Sequence, residues 1–502
     1  MDPWATIGQL SREESRALQN KKLYSFINTY LYPFSPYYQR LLDQNHINPK
    51  NIRSIEDLAQ IPLTSKKDLL DPPPLTPPTG GGEVGKFKDF ILQPDEAKIK
   101  KSWPLNKLLS LAIKKTFRGA EYVKDQLENE FRPVFMTFTT GTTNQPMPFL
   151  FTNYDIQNLY VSGSRMLNLF AIKNTEPIVN IFPYAPHLAF WQVAWGGLAC
   201  HALILSTGGG KTIGTEGNIK AILKMKPSVI LGVPSYVYHV IRTAHEKKCK
   251  MDFVKKIVVG AAKIPLAFKK KIAELLEDMG AKDISVFGTY GFTEARCAWA
   301  ECPTSLDVSS GYHLYPDKEI IEIIDPKTGE VKKEGEDGEI VYTSLDARGS
   351  AVLRYRTGDF VHGGITYEPC PHCGRRGPRL SSDITRLSDV KDLKLSKIKG
   401  TLVDLNVLAS CLSEMESIDE WQIEIRKRNN DPFDVDECVV YVCPRNGSND
   451  QKLSDEIKKR MASSTEVTPN EVKFISLDEM VKRLELETAN KEKRIVDNRP
   501  KE

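Results

Sequence analysis

Short apolar runs alternate with amphipathic segments through the middle of the chain. Six runs have the length and residue content of strands, and in chain order they are VFMTFT, PIVNIF, ALILS, SVILGV, KIVVGA and DISVFG. Apolar residues at helical spacing lie between several of them, as at residues 268–279. Strands interleaved with helices predict an α/β fold whose sheet is largely parallel.

The pattern changes on both sides of this region. Residues 22–70 predict helices in pieces, and residues 320–344 predict a small antiparallel section because turn residues separate alternating strands. Strand-like residues 420–445 precede a helical segment at 452–461. We therefore predict a large N-terminal domain with parallel or mixed sheet, and a small α+β C-terminal domain. The predicted bounds are residues 1–386 and residues 387–502.

Two stretches before residue 131 have a different composition. The segment DPPPLTPPTGGGEVG, at residues 71–85, suits neither a helix nor a central strand and predicts a loop. Residues 95–130 favour helix and are rich in Lys and Arg, which we interpret as a solvent-exposed basic face.

Composition excludes several classes of protein. The 502 residues are 40% hydrophobic and 27% charged with a net charge of +4, which excludes disordered, collagen-like and coiled-coil chains and suggests neither nucleic acid nor a membrane as partner. The first twenty residues do not resemble a signal peptide. The most apolar window, residues 188–205, is interrupted by polar residues and predicts core or pocket wall. Nine cysteines fit a reducing, cytoplasmic location.

Three motifs with nucleotide-binding chemistry follow one another along the chain. The run TTGTTNQP, residues 139–146, offers backbone N–H and hydroxyl groups to phosphate oxygens, although it lacks the spacing of a Walker loop. YGFTE, residues 290–294, combines a ring for a base, a hydroxyl for a phosphate and a carboxylate for Mg²⁺. YRTGD, residues 355–359, ends on a carboxylate that can accept two ribose hydroxyls.

In this order the motifs resemble those of the adenylate-forming enzymes, and among them the phenylacetate-CoA ligase family. The context GEIVYTSLDARGSAVLRYRTGD is similar to that family, as are SPYYQRLLDQNHINPKNIRSIEDLAQIPLTSKKDLLD and the C-terminal NKEKRIVDNR. The resemblance covers nearly all of the chain except an insertion at residues 72–130. It implies that ATP and a carboxylic acid give acyl-AMP and pyrophosphate, and that CoA then displaces AMP.

The resemblance also implies residue roles. The departing phosphates would be held by Thr139, Thr140, Gly141, Thr142 and Thr143. Thr293 would contact the α-phosphate and Glu294 would hold Mg²⁺. Tyr290 would line the adenine, and Asp359 would bind the ribose. The remaining nucleotide-binding positions would be Gly260, Ala261, Gly291 and Arg386.

The C-terminal part carries two further implied roles. Lys491 would bridge the substrate carboxylate and the α-phosphate, with Lys493 as the competing candidate, and Asp389 matches the hinge of the small domain. The chain departs from the family in the lysine-rich stretch KDLKLSKI after this hinge. It also departs at Asn144 and Gln145, where the loop commonly ends Gly-Lys-Pro. The missing cation predicts an altered first step.

A cysteine knuckle predicts a metal site. CPHCG, residues 370–374, has the spacing of two zinc-binding thiolates. Cys302 and His313 are the best candidates for the other ligands, and members of the resembled family have a comparable set. We predict a closed structural zinc site formed by Cys302, His313, Cys370 and Cys373. Cys297 and His372 are the alternatives, and a redox dithiol is disfavoured because no thioredoxin-like unit surrounds the pair.

Family position further implies the acyl pocket. Its wall would include Tyr184, His187, Phe190, Trp191 and Tyr236. An aromatic wall favours an aryl or other flat apolar acid, although core packing explains each residue equally well. Nothing identifies the second nucleophile, so a carrier-protein thiol or an amine stays open beside CoA. Another alternative is a nucleotide-binding, zinc-stabilised module with little turnover. A homodimeric assembly is also open.

Overall fold

The chain folds into two compact units of mixed α/β structure, which confirms the predicted fold class. In this computed structural model the described residues are 4–69, 86–139, 147–184, 187–261, 264, 266–303, 305–306, 308–387, 395–398, 401–428, 436–445, 450–465, 467–486 and 492–499. Unit 1 comprises Met1–Ile178, Ala185–Ser206 and Phe287–Ile384. Unit 2 comprises Val179–Tyr184, Thr207–Val286 and Thr385–Glu502. The domain boundary near Arg386 stays a prediction.

Unit 1 begins with helices, as the sequence predicts. They are α1 (Arg12–Phe26), α2 (Tyr32–Phe34), α3 (Pro36–Gln44), α4 (Lys66–Leu69), α5 (Glu96–Ser102), α6 (Leu105–Arg118) and α7 (Ala120–Phe131). A capping box formed by Ser11 and Glu14 starts α1, which runs into a π-helical turn at Ile27–Leu31. The buried face of α1 includes Leu23 and Phe26.

A hairpin and two closely packed helices follow. The elements are β1 (Pro133–Phe138), β2 (Pro148–Thr152), α8 (Asn153–Leu169), β3 (Ile178–Asn180), α9 (Leu188–Ala199) and β4 (Ile204–Ser206). The first predicted strand, β1, pairs with β2 in a two-stranded antiparallel sheet. Backbones of α8 and α9 nearly touch, since a Cβ on Gly163 would lie 2.6 Å from the Cα of Gly196. None of the described helices is both long enough and apolar enough to span a bilayer.

Alternating helices and strands continue in unit 2. They are α10 (Gly210–Met225), β5 (Val229–Gly232), α11 (Pro234–Glu246), β6 (Lys256–Gly260), α12 (Leu266–Asp278) and β7 (Ser285–Phe292), which crosses into unit 1. β5 and β6 pair in parallel, with Val229 opposite Lys256. Every residue of β5 is buried, as expected for a strand covered on both faces.

Antiparallel strands complete unit 1, as predicted for residues 320–344. They are β8 (Cys297–Pro303), β9 (Ser309–His313), β10 (Glu319–Ile324), β11 (Gly338–Ser344), β12 (Tyr355–Val361), β13 (Ile365–Thr366), β14 (Arg379–Leu380) and β15 (Ile384–Arg386). β10, β11 and β12 form one antiparallel series. A second series links β7, β8, β9, β14 and β13.

The C-terminal part of unit 2 is α+β, as predicted. Its elements are β16 (Leu395–Ile398), β17 (Thr401–Asp404), α13 (Leu405–Ser413), β18 (Ile418–Lys427), β19 (Asp436–Pro444), α14 (Asp450–Thr465), β20 (Glu471–Phe474), α15 (Leu477–Leu484) and β21 (Ile495–Asp497). Four strands lie in the order β20-β19-β18-β21. One core cluster joins this sheet to α13 and α14, and a second joins it to α15.

Candidate active site

The Thr-rich loop begins where β1 ends and connects β1 to β2. Thr139 donates its backbone N–H to the Met147 carbonyl at 3.0 Å, and its Oγ1 accepts the Met147 N–H at 3.2 Å. Thr139 is buried, so its hydroxyl helps to close the base of the loop. The other predicted phosphate-binding residues, Thr140, Gly141, Thr142 and Thr143, lie outside the described residues, as do Asn144 and Gln145.

The second and third motifs are joined by two hydrogen bonds in unit 1. Tyr290, predicted to line the adenine, donates its hydroxyl to Oδ2 of Asp359, the predicted ribose ligand, at 2.8 Å. Tyr355 donates its hydroxyl to Oε1 of Glu294, the predicted Mg²⁺ ligand, at 2.8 Å. The Tyr290 ring also stacks on Trp299. The structure therefore brings together the residues that the sequence assigned to adenine, ribose and metal.

A buried ion pair fixes the turn after Glu294. Thr293–Ala295 form a short 3₁₀ turn, and Arg296 follows with a left-handed φ of 58°. Nη1 of Arg296 donates to Oδ1 of Asp155 at 3.1 Å and to the Ser350 carbonyl at 2.8 Å. Both partners of the ion pair are buried. The turn that carries Glu294 is thus held by the helix that follows the phosphate-loop hairpin.

Asp155 connects several segments because it also caps α8. Its Oδ2 accepts the N–H groups of Thr152 at 2.9 Å and of Gly349 at 2.8 Å. Thr152 and Asp155 form a capping box.

Sequence reasoning missed Arg296 and Asp155. The available signals were the Thr-x-x-Asp pattern after β2 and the charged residue that follows the YGFTE motif.

Three predicted pocket residues lie near β1 in unit 1. Nδ1 of His187 is 3.3 Å from the carbonyl oxygen of Phe138. The Trp191 ring packs edge-to-face on Phe135, with centroids 5.3 Å apart, and on Phe190, with centroids 5.4 Å apart. An aromatic group therefore lies beside the strand that leads into the phosphate loop.

Five other predicted residues lie in unit 2, whereas Gly291 lies on β7 in unit 1. Tyr236 on α11 is buried, and its hydroxyl accepts from Nδ2 of Asn218 at 3.0 Å. Tyr184 is 60% exposed and donates its backbone N–H to Gly208. Gly260 ends β6, and Ala261 follows with a left-handed φ of 70°. Arg386 is the last residue of β15.

The predicted catalytic lysine and hinge are not described. Lys491 and Asp389 both lie outside the described residues. The competing candidate, Lys493, is described, and its Nζ lies 2.6 Å from Oε1 of Glu485. In this arrangement Lys493 is an exposed partner of a carboxylate.

The four predicted metal ligands converge in unit 1. The ligand atoms of Cys302, His313, Cys370 and Cys373 all lie within 4.8 Å of one another. Cys302 lies on β8 and His313 ends β9, while β14 pairs with β9 and brings the knuckle alongside. The knuckle turn closes with the Gly374 N–H donated to the Cys370 carbonyl at 2.9 Å. The alternatives Cys297 and His372 are not members of this cluster.

The cluster has the chemistry of a structural zinc site. Nε2 of His313 lies 3.5 Å from Sγ of Cys373, and Cys302, His313 and Cys370 are buried. Hydrogen bonds from Cys302 and Cys373 lower the pKa of the Cys370 thiol, whereas the hydrogen bond with Cys370 raises the pKa of Cys302. Three sulfurs and one imidazole match a tetrahedral zinc donor set.

Fold and motifs together define an adenylate-forming class of protein. The AMP-binding enzyme family matches residues 83–347, and the chain belongs to that family. It is similar to the phenylacetate-coenzyme A ligase of Thermus thermophilus, with 26% identity over 83% of this chain and 80% of the relative. The phenylacetate-coenzyme A ligase of Aromatoleum evansii is 23% identical over 99% of this chain and 97% of its own.

A solved structure supports the same fold. The crystal structure of 2-hydroxyisobutyryl-CoA ligase in the postadenylation state in complex with 2-HIB-AMP matches with a TM-score of 0.71. The match covers 98% of this chain and 91% of that chain at 18% identity. The resemblance to the phenylacetate-CoA ligases and to their superfamily is confirmed.

Proposed function

We propose that this protein is an acid-CoA ligase that forms an acyl-AMP from ATP and then an acyl-CoA thioester. The observation that carries the proposal is the pairing of Tyr290 with Asp359 and of Tyr355 with Glu294. These bonds join the positions that we propose for adenine, ribose and metal, in a chain related to phenylacetate-CoA ligases over almost its whole length. A fold alone would not carry this function.

The first step is an in-line displacement at the α-phosphorus. A substrate carboxylate oxygen forms the new P–O bond while the bond to pyrophosphate breaks, and the loop at residues 139–143 holds the departing phosphates. Thr293 contacts the α-phosphate. Glu294 keeps acceptor capacity beyond its bond to Tyr355 and would hold Mg²⁺, which neutralises phosphate charge when bound. Lys491 bridges the carboxylate and the α-phosphate.

In the second step the CoA thiol attacks the acyl carbonyl and AMP leaves. We propose that residues 387–502 rotate about Asp389 between the two steps. We propose further nucleotide contacts at Gly260, Ala261, Gly291 and Arg386 on family position alone. We propose that the reaction takes place in the cytoplasm.

The substrate is proposed to be an aryl or other flat apolar acid. His187, Phe190 and Trp191 lie beside β1 in an aromatic group. Tyr184 and Tyr236, which belong to unit 2, are proposed substrate contacts on family position alone. Aromatic walls of this kind bind flat rings through offset and edge-to-face contacts.

Pyrophosphate exchange over a panel of carboxylic acids tests the first step. We expect exchange with aryl acids, and a loss of at least about a hundredfold in Glu294→Gln because Mg²⁺ loses its carboxylate ligand. An active wild type is then given CoA, a carrier-protein thiol or an amine, and thioester formation with CoA is expected. Absence of exchange with every acid would favour the alternative of a nucleotide-binding module with little turnover. The departure from the family at Asn144 and Gln145 is the sequence feature that supports this alternative.

We further propose that the four-residue cluster holds a structural zinc ion. Metal analysis of protein purified without added zinc should give about one zinc per chain. Cys370→Ser should lose it, whereas Cys200→Ser, at a half-buried cysteine outside the cluster, should keep it. A clearly substoichiometric zinc content in the wild type contradicts this proposal without affecting the ligase proposal.

A further inference from the structure

Helix α6 turns an apolar face outward. Leu105, Leu109, Ile113 and Phe117 follow one another at intervals of four residues and are 84%, 64%, 51% and 83% exposed. Residues at this spacing lie on one side of a helix. No residue of α6 is buried, so α6 does not present a buried apolar face to the core, as an amphipathic helix of a globular protein usually does.

Polar side chains hold α6 on its other side. The Lys107 ammonium lies over the Tyr30 ring at 4.3 Å and over the Trp103 ring at 5.0 Å. Nζ of Lys114 donates to Oε1 of Gln126 on α7 at 3.1 Å. The sequence suggested a solvent-exposed basic face here, and in the structure Lys107 and Lys114 are half-buried whereas Lys115 and Arg118 are exposed. Solvent also meets a row of large apolar side chains.

α6 and the segment that precedes it are basic, whereas α7 beside α6 carries four acids and one lysine. Residues 96–118 contain seven cations and one acid, Glu96, for a net charge of +6. α6 itself has Lys107, Lys114, Lys115 and Arg118 and no acidic residue. The whole-chain charge of +4 hides this concentration.

We propose that α6 binds flat on an anionic lipid surface. A basic helix with Leu, Ile and Phe along one face is the pattern of an interfacial helix, whose apolar residues enter the headgroup boundary while the cations attract anionic lipid. Pairing with a second copy is disfavoured because it would bring together two helices that each carry four cations and no acid.

Vesicle flotation of the full-length protein tests the proposal. We expect wild type to float with phosphatidylcholine vesicles that contain phosphatidylglycerol, and to bind pure phosphatidylcholine and high-salt samples much more weakly. The double variant Leu109→Gln/Phe117→Gln should lose at least about tenfold in partitioning, because two large apolar side chains no longer enter the lipid. Both residues are exposed, so the variant should keep the wild-type circular dichroism and Tm.

Val331→Gln is the matched control, since Val331 is as exposed as Ile113 at 51% but lies outside α6. It should float like wild type. Wild type that ignores anionic vesicles, or a double variant that floats as well as wild type, overturns the proposal. Lipid-independent self-association that the double variant abolishes assigns the face to a second copy and also overturns it. Ligase activity on a soluble acid is a separate measurement, so its absence leaves the flotation result interpretable.

Discussion

Tyr355 holds the carboxylate proposed for Mg²⁺. Its hydroxyl reaches Oε1 of Glu294 from β12, and the ring is 2% exposed, so the donor has little freedom. Removing the hydroxyl keeps the ring packed but leaves one carboxylate oxygen without this donor. Tyr355 is a positioning residue in this scheme, since it acts through Glu294.

Tyr355→Phe should lower kcat for pyrophosphate exchange by about tenfold, in line with the loss of one hydrogen bond to a charged group. The Mg²⁺ concentration for half-maximal rate should rise, while KM for the acid stays near wild type. Tyr32→Phe is the control because Tyr32 donates to Asp43 at an exposed position. An unchanged Mg²⁺ dependence would show that Tyr355 only supports packing.

Glu319 is a buried acid that gives stability a pH dependence. Its Oε1 accepts from Nε1 of Trp299 at 2.7 Å and from the Tyr315 N–H at 2.6 Å. Burial raises the pKa of Glu319 from 4.5 to about 8. The folded protein therefore holds a proton that the unfolded chain releases between these values, so stability falls as the pH rises from about 4.5 to about 8.

Glu319→Gln removes this loss while it keeps the side-chain volume and an oxygen acceptor. The variant should gain on wild type with rising pH, by about 4 kcal/mol in free energy of unfolding near the upper end. Urea denaturation across the pH range measures the difference. Glu277→Gln, at an exposed acid, should follow wild type. Parallel curves for Glu319→Gln and wild type would contradict the assignment.

At the scale of elements, Asp155 couples the start of α8 to the turn after β7. Its carboxylate is 3% exposed and serves the Thr152 cap, the Gly349 N–H and the Arg296 guanidinium. A charge removed from such a site leaves its buried partner uncompensated. The hairpin that carries the phosphate loop and the turn that carries Glu294 then lose a common support.

Asp155→Asn should therefore lower the free energy of unfolding by about 3 kcal/mol and raise KM for ATP more than KM for the acid. Urea denaturation and exchange kinetics measure the two effects. Adding Arg296→Gln should cost less than the sum of the single changes, because the pair is lost only once. Glu96→Gln, which removes an exposed ion pair with Lys100, should be near neutral. If the two changes lowered the free energy of unfolding additively, the ion pair between Asp155 and Arg296 would not explain the loss.

The local sequence pattern predicted the helices and strands better than it predicted which distant residues contact each other. The strand runs β3–β7, the antiparallel β10 and β11 and the C-terminal α+β part all follow from periods within a few residues. The cysteine cluster was also predictable from the sequence, because CPHCG has the fixed spacing of two zinc-binding thiolates. Arg296 and Asp155 lie 141 residues apart, and no local period reports such a contact. The outward face of α6 was missed because amphipathicity gives an apolar side without saying whether anything covers it.

For the whole molecule, the proposed cycle requires contacts that exist in only one arrangement of the C-terminal part. Within unit 2, Arg242 on α11 pairs with Asp419 on β18 at 3.4 Å, and Arg445 pairs with Glu274 on α12 at 3.2 Å. The Lys271 ammonium also contacts the Ile418 carbonyl. Rotation about Asp389 would break these contacts, so they favour one half-reaction over the other.

Asp419→Asn combined with Glu274→Gln should therefore change the two half-reactions unequally. The step that uses this arrangement should slow by at least about fivefold relative to the other, because the Arg445–Glu274 pair is exposed but the Arg242–Asp419 pair is largely buried. Pyrophosphate exchange reports the first step, and thioester formation from supplied acyl-AMP reports the second. Asp252→Asn removes an exposed pair with Lys250 and should leave the ratio of the two rates unchanged. Equal slowing of both steps in the double variant would mean that the ion pairs stabilise unit 2 without biasing a rotation, because a contact present throughout the cycle cannot favour either step.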